Sequence, residues 1–298
     1  GVTVSVNADS STMITEFLKQ GTDLIRAVPF GQFSRLENAD GVETQTTEVA
    51  SFPVIQMRAT EAPFDDNRVR TAFKLAVDRE AIIASALNGY GTIGNDHPVG
   101  AAYLGHSELP EQRSQDMGRA EELLQEAGYG EGGESIDLEF KAPNNPQYVL
   151  DTTVLAAENF NQLSNVNVEV VQQSYDTWIN ETWLNSRFYT SWYGQEVRSA
   201  LQLEITWHSE GAWNEANWSD DEFDTALENA IAAQSEEEYK SEIKTCEQIL
   251  YERGPSIVPA FRPILSGHWD YVHGYEPARN ESYVIADEMW IEDEAPTK

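Results

Sequence analysis

The stretch Ala62-Pro-Phe-Asp-Asp-Asn-Arg-Val-Arg-Thr-Ala-Phe-Lys-Leu-Ala-Val-Asp-Arg-Glu-Ala-Ile-Ile83 constrains the fold more than any other part of the chain. Pro63 biases Ala62 toward extended backbone, because the proline ring crowds the residue before it. Asp65 or Asp66 then offers an oxygen to the free amides that open a helix, and Val69, Phe73, Ala76 and Val77 recur at helical spacing on one face. Asp78 caps a second helix, which Gly89 ends. A turn, two caps and an apolar stripe in so short a segment mark a joint between packed elements.

Around this joint, strands and helices alternate for most of the length, the pattern of α/β layers. Val2, Val4 and Val6 alternate as a strand, and Ser10 or Ser11 caps a helix bearing Met13, Ile14, Phe17 and Leu18. Residues 23–29 read as a short strand and residues 51–58 as a buried one. Ser114 caps a helix with the stripe Ala120, Leu123, Leu124 and Ala127, closed by Gly128. Ile136, Leu138 and Phe140 alternate, as do Val166, Val168 and Val170, with an amphipathic segment over 149–163 between them. That is a strand, helix, strand unit. Ser219-Asp-Asp-Glu222 and Ser235-Glu-Glu-Glu238 are capping boxes, and Gly254-Pro255 stops the second of these helices. Residues 256–262 and 265–272 read as closing strands.

With 298 residues, 40% of them hydrophobic, the chain buries a real core. Its formal charge of −32 comes from 51 acids against 19 bases, only six of which are Lys. Such a field repels phosphate backbones and argues against nucleic acid as a partner. In molar salt the Debye length falls to about 3 Å. An acidic surface spread along the whole chain therefore points to a halophilic protein. Cys246, the sole cysteine, sits among Ile243, Ile249 and Leu250 and reads as a buried hydrophobe. No window reaches the apolar length of a membrane span, and no charged-then-apolar leader opens the sequence. Because residues 1–6 already alternate as a strand, the expectation is a piece of a longer precursor.

Chemistry is hard to place on these residues. Acids abound, yet Glu236, Glu237 and Glu242 lie on the solvent face of a helix, and no acid is framed by a motif that raises its pKa. Asp220-Asp-Glu-Phe-Asp224 lacks the glycine and alternate ligands of a calcium loop. His268 and His273, on one expected strand, point to opposite faces and not at one metal. Gly-x-Ser-x-Gly turns and phosphate loops are absent. The expectation is no catalytic residue, no metal and no cofactor. Aromatics are the positive signal: Trp178, Trp183, Trp192, Tyr193, Trp207, Trp213 and Trp218 crowd one region. Trp178 and Trp183 splay apart on a helix from Ser174, one buried and one at a surface. Ser191-Trp-Tyr-Gly-Gln195 ends a strand and opens into a loop, where a flat ring can stack on a sugar face or a peptide side chain.

The segment 62–83 closely resembles the signature of the family 5 solute-binding proteins, the extracellular receptors of peptide, nickel and oligosaccharide ABC importers. Leu87-Asn-Gly-Tyr-Gly91 followed by His97-Pro98, Arg119-Ala-Glu-Glu-Leu-Leu-Gln-Glu-Ala-Gly-Tyr129 and Trp218-Ser-Asp-Asp-Glu-Phe-Asp224 look like later motifs of the same family. The resemblance implies an α/β fold of the type II periplasmic-binding-protein kind, with two lobes that close over a solute. Residues 1–48 then belong to the first lobe, 49–265 form the C-terminal lobe, and 266–298 return to the first. Family members are longer, so the resemblance implies mainly the C-terminal lobe with a partial N-terminal lobe, and weak or no ligand binding by this piece alone. It further implies a monomer outside the cell or at its surface, anchored through a segment absent from this chain, that hands a small peptide or oligosaccharide to a membrane permease.

The same resemblance places ligand contacts at Trp192, Tyr193, Gln195 and Glu196 on the cleft strand, and at Asn144 and Asn145 in the loop Lys141-Ala-Pro-Asn-Asn-Pro146. Peptide binders of the family carry Asp three positions after the cleft Trp, where Gln195 stands here, and dipeptide binders place an Arg in the loop that here has none. A neutral amide does not replace a charge-assisted bond, worth about 1.5 to 3 kcal/mol. Gln195, Asn144 and Asn145 beside aromatics suit an uncharged polar ligand such as an oligosaccharide, with Glu196 next in line to receive an amine. The competing readings are a secreted carbohydrate-active hydrolase using two of the many carboxylates, and an extracytoplasmic sensor on the same fold.

Overall fold

The computed structural model describes every residue except 7–8, 50, 108–109, 195–197, 279–285, 294 and 297–298. The chain divides into two compact units, Gly1–Val49 with Arg262–Lys298, and Ala50–Phe261. The first unit opens with α1 (Ser10–Leu18), β1 (Leu24–Ile25), α2 (Phe30–Glu37) and β2 (Val42–Thr47). The second begins with β3 (Phe52–Met57), α3 (Asn67–Ala76), α4 (Arg79–Ala86), β4 (Thr92–Ile93), α5 (Met117–Glu126), β5 (Ile136–Pro143), α6 (Gln147–Phe160) and β6 (Val166–Gln173). It continues through α7 (Tyr175–Thr177) and a π-helical turn (Trp178–Thr182) to β7 (Phe188–Tyr193), α8 (Ser199–Thr206), α9 (Asp221–Ala232), α10 (Glu236–Arg253), β8 (Ser256–Ile257) and β9 (Ala260–Phe261). The chain then returns to the first unit as β10 (Ile264–Trp269), β11 (Val272–His273) and β12 (Trp290–Ile291).

In the first unit β10 lies between β1 and β2, antiparallel to both, and all six of its residues are buried. Trp269 reaches back to α1, where its ring lies 5.5 Å from that of Phe17 and its indole N–H donates to the Phe17 carbonyl. Asp9, not a serine, caps α1 through the Thr12 amide at 2.7 Å. The expected strand at Val2, Val4 and Val6 does not form. Those valines are exposed, and alternation makes no strand without a ladder partner. The strand expected over 23–29 shrinks to Leu24–Ile25, and the two expected closing strands break into four short pieces, so that His268 and His273 sit on different strands.

The second unit is built on a five-stranded sheet in the order β6-β5-β7-β3-β8. β5 runs parallel to β6 and β7, while β3 is antiparallel to β7 and β8. β3 is buried along its whole length because helices cover both of its faces. Ile55 and Met57 join one core with Phe64, Phe73, Phe140, Phe160 and Phe188, and Phe52 and Val54 join another with Leu203, Trp207, Phe223, Ile243 and Leu250. Period-two alternation divides the two cores between the faces of one strand.

The segment read as a joint behaves as one. Asp66 accepts from the Arg68 amide at 2.8 Å and Asp78 from the Ala81 amide at 2.9 Å, each cap contributing about 1 kcal/mol. Val69, Ala72, Phe73 and Ala76 turn inward, and positive-φ Asn88 and Gly89 terminate the pair. Two later caps shift to the neighbouring acid: Asp116 in place of Ser114, and Asp220 in place of Ser219. Ser235 caps α10 as expected.

At its other end α10 stops against cations. Lys74 donates to the carbonyls of Leu250 and Tyr251 at 2.8 and 3.2 Å, Arg113 to Tyr251 at 2.8 Å, and Arg70 to Arg253 at 3.0 Å. These carbonyls belong to the last turn of the helix, at the negative end of its dipole, and the Leu250 carbonyl also accepts from the Gly254 amide at 3.0 Å. Lys74 is fully buried, and burial pushes its ammonium well below the ordinary lysine range. Asp96 lies between Arg79 and Arg113 at 2.7 and 2.8 Å. Burial alone raises a carboxyl, but the two guanidinium groups outweigh it and hold Asp96 below its ordinary value.

Candidate functional site

Because β5, β6 and β7 are parallel, their C-terminal ends share one edge of the sheet, the edge where open α/β sheets receive ligands. β5 pairs in parallel with β7 at Lys141 and Tyr189, so the strand ends Pro143 and Tyr193 lie along the same edge of the sheet. The two stretches singled out in the sequence, remote along the chain, thus meet at one edge. Asn144 and Asn145 are exposed. The Asn144 amide donates to the Gln173 carbonyl at the end of β6 at 2.7 Å, and Pro146 follows as the residue preceding α6.

Trp192 and Tyr193 leave β7 on opposite faces and meet different surroundings. Trp192 is half-buried, its ring 5.3 Å from Trp178 and 6.1 Å from the exposed Tyr175. Together these rings form an aromatic ledge. Gln173, bonded to the Thr182 hydroxyl at 2.7 Å, adds an amide at the neighbouring strand end.

Tyr193 turns inward, packed on Phe52 and Trp207 and stacked on Trp213 with centroids 6.1 Å apart. Its hydroxyl donates to Glu215, which also accepts from the Trp183 indole at 3.0 Å. Glu215 is 1% exposed. Burial raises its carboxyl above the ordinary range, while Tyr193, Trp183, Tyr189 and Ser191 pull the other way. Burial, reinforced by Glu215, holds the Tyr193 hydroxyl well above its ordinary value, so it stays a donor. The end of β7 is also fastened at Gly194, where a Cβ would meet the Ser51 hydroxyl oxygen at 2.5 Å, and Ser51 itself donates to the Tyr193 carbonyl at 3.0 Å. Gln195 and Glu196 lie outside the described residues.

The crowd of tryptophans divides accordingly. Trp178 is 2% exposed and Trp183 half-buried; Trp207 belongs to the core; Trp218 packs against Phe223 at 5.2 Å. Glu215 is the residue that sequence reasoning missed. Its only signal is an acid in the apolar-framed run Trp213-Asn-Glu-Ala-Asn-Trp218. A hollow of about 590 Å³ lies elsewhere, over the polar face of β5 and β6, lined by Asp137, Glu139, Lys141, Asn167, Glu169 and Arg187, and contains none of the strand-end residues. Among the described residues no three His, Cys, Asp or Glu side chains gather as a metal site. No helix among them is long and apolar enough to cross a membrane.

Residues 1–230 match the family model described as bacterial extracellular solute-binding proteins, family 5 Middle. The chain belongs to this family. Similar relatives include the glutathione-binding protein GsiB of Shigella dysenteriae, 23% identical over 90% of this chain and 53% of the relative. GsiB of Pectobacterium atrosepticum is 25% identical over 90% of this chain and 52% of the relative. The chain thus spans about half the length of these family members. Among solved structures, the oligopeptide-binding protein AppA of Bacillus subtilis, in complex with a nonapeptide, superposes with a TM-score of 0.82 at 17% identity, covering 96% of this chain and 59% of that one. NikZ of Campylobacter jejuni, in complex with Ni(L-His), gives 0.78 at 20% identity, covering 90% and 56%. The fold is therefore the α/β periplasmic-binding-protein fold that the signature segment implies.

Proposed function

We propose that this chain handles ligand within an extracellular receptor of an ABC importer. The observation that carries this reading is the family match over residues 1–230. In that role it takes up a solute outside the cell and passes it, unaltered, to a membrane permease, as a surface-anchored monomer that uses no cofactor. Residues 1–48 and 266–298 are assigned to the first lobe and 49–265 to the C-terminal lobe, matching the family pattern read from the sequence. The ligand is assigned to the shared strand edge. Trp192 offers a ring face, Asn144 and Asn145 offer neutral donors and acceptors, Gln195 and Glu196 follow along the chain, and Tyr193 steadies the strand end from behind.

The ligand class follows from charge. Asn144, Asn145 and Gln173 at the described strand ends are neutral, which suits an uncharged polar solute of the oligosaccharide type. A short peptide is the competing class, supported by relatives named for glutathione and by the peptide held by AppA. Calorimetric titration of the full-length receptor with cellobiose-type sugars against short peptides, glutathione among them, separates the two. A clear preference for peptides defeats the sugar assignment, and heat from neither, at any salt concentration, defeats the site. The net charge of −32 further supports work in molar salt, where the fold should unfold later than in dilute buffer.

A further inference from the structure

Away from the strand edge, Glu247 near the middle of α10 is a further buried acid, with no solvent exposure. It faces His97 and Ser107, the ends of the segment 97–107. Ser107 meets it twice, with its hydroxyl 2.5 Å from Oε2 and its amide 3.4 Å from Oε1. On the remaining side His97 Nδ1 stands 3.9 Å from Oε1 and has no hydrogen-bond partner among the described residues. The nearby cations are committed elsewhere or sit at a distance. Arg79 and Arg113 hold Asp96, Lys74 caps α10, and Lys244 acts on Glu247 only weakly from the same helix. His106, the other titratable neighbour in the segment, bonds the Val99 carbonyl through Nδ1 at 2.9 Å, and the thiol of Cys246 is buried. A cavity of about 220 Å³ borders the group, lined by Asn95, His97, His106, Ser107, Gln112 and Phe261.

We propose that Glu247, Ser107 and His97 form a proton-dependent latch that fastens residues 97–107 to α10, closed while the carboxyl keeps its proton and released when the proton leaves. Burial holds the Glu247 carboxyl up at about 8 and the His97 imidazole down at about 4, so near neutrality the pair carries no charge. Loss of the proton to solvent leaves an anion in a dry site with one hydroxyl and one long amide contact. His97 is neutral there and supplies no compensating charge. The bordering cavity is where water enters to solvate the anion, because the Ser107 hydroxyl favours the carboxylate too weakly to offset its burial.

Hydrogen exchange of the whole chain, read by mass spectrometry and corrected for the intrinsic pH dependence of amide exchange, reports on the latch. Protection over residues 99–107 is expected to fall, roughly tenfold or more, as pH rises above 4.5 toward about 8 and to level off beyond it, while β3 and α6 keep theirs. Glu247→Gln should hold the segment protected throughout. Ser107→Ala should move the midpoint upward, because the lost hydroxyl favoured the carboxylate. An unchanged profile in wild type, or the same fall in Glu247→Gln, overturns the latch. Should Glu247→Gln fail to fold, an unshifted midpoint in Ser107→Ala overturns it instead.

Discussion

Asp96 and Glu215 both lie in the interior of the larger unit, yet they keep opposite company. Asp96 sits between two guanidinium groups at the base of α10, where opposite charge outweighs burial and the carboxyl stays ionised. Glu215 sits behind the candidate ligand edge among hydroxyl and indole donors with no cation, and burial raises its carboxyl. The first arrangement ties helices together by charge. The second fixes the end of β7 by hydrogen bonds. Neutral donors suffice for positioning there, whereas the end of a long helix is anchored by full charges.

The comparison breaks most visibly at Asp96. Asp96→Ala leaves Arg79 and Arg113 buried without their partner and should cost about 3 to 5 kcal/mol in denaturant unfolding. A loss below about 1 kcal/mol means that the cluster is not held by charge. The pH dependence has a definite sign: the Asp96 contribution is in place above its ordinary value of 3.8 and is lost as pH falls through the lower folded-state value. Acid unfolding of wild type should therefore be steeper than that of Asp96→Asn.

A smaller effect is expected at Tyr193→Phe, about 1 to 3 kcal/mol, because Glu215 loses one donor while the ring stays packed. Glu215→Gln should cost less, about 1 kcal/mol, since an amide keeps an acceptor for the Trp183 indole. Here the sign reverses. Glu215 holds its proton longer folded than unfolded, so wild type loses stability as pH rises above 4.5 toward the raised folded value, and the Gln variant should not. Parallel slopes for the two proteins count against a raised Glu215 carboxyl. Smallest in stability is Trp192→Ala, expected below about 1 kcal/mol for a half-buried ring, with ligand affinity reduced about tenfold or more by calorimetry. Full affinity in that variant moves the ligand away from the strand edge.

Much of the fold was legible because its signals are local. Asp66, Asp78 and Ser235 cap helices where the sequence places them, and Ile136, Leu138 and Phe140 face the core that their alternation predicts. Local signals misled where two candidates competed or a partner was needed. Asp116 and Asp220 outcompete adjacent serines, and Val2, Val4 and Val6 have the rhythm of a strand without one to pair with. Of the candidate site, the placing of the β5 and β7 ends on one sheet edge depends on strand pairing, which no residue near either announces. The inward turn of Tyr193 was equally hidden, since an aromatic at a strand end reads the same on either face.

By itself the sequence determined the alternation of strands and helices, the cap-rich joint at 62–83 and, through that joint, the family. These are properties of neighbours along the chain, where backbone preference and side-chain period act directly. Only the tertiary structure decided which acids keep their charge. Asp96 meets Arg113, Glu215 meets Tyr193 and Glu247 meets Ser107 across long stretches of chain, and the charge each carries depends on the dielectric and donors that packing assembles around it.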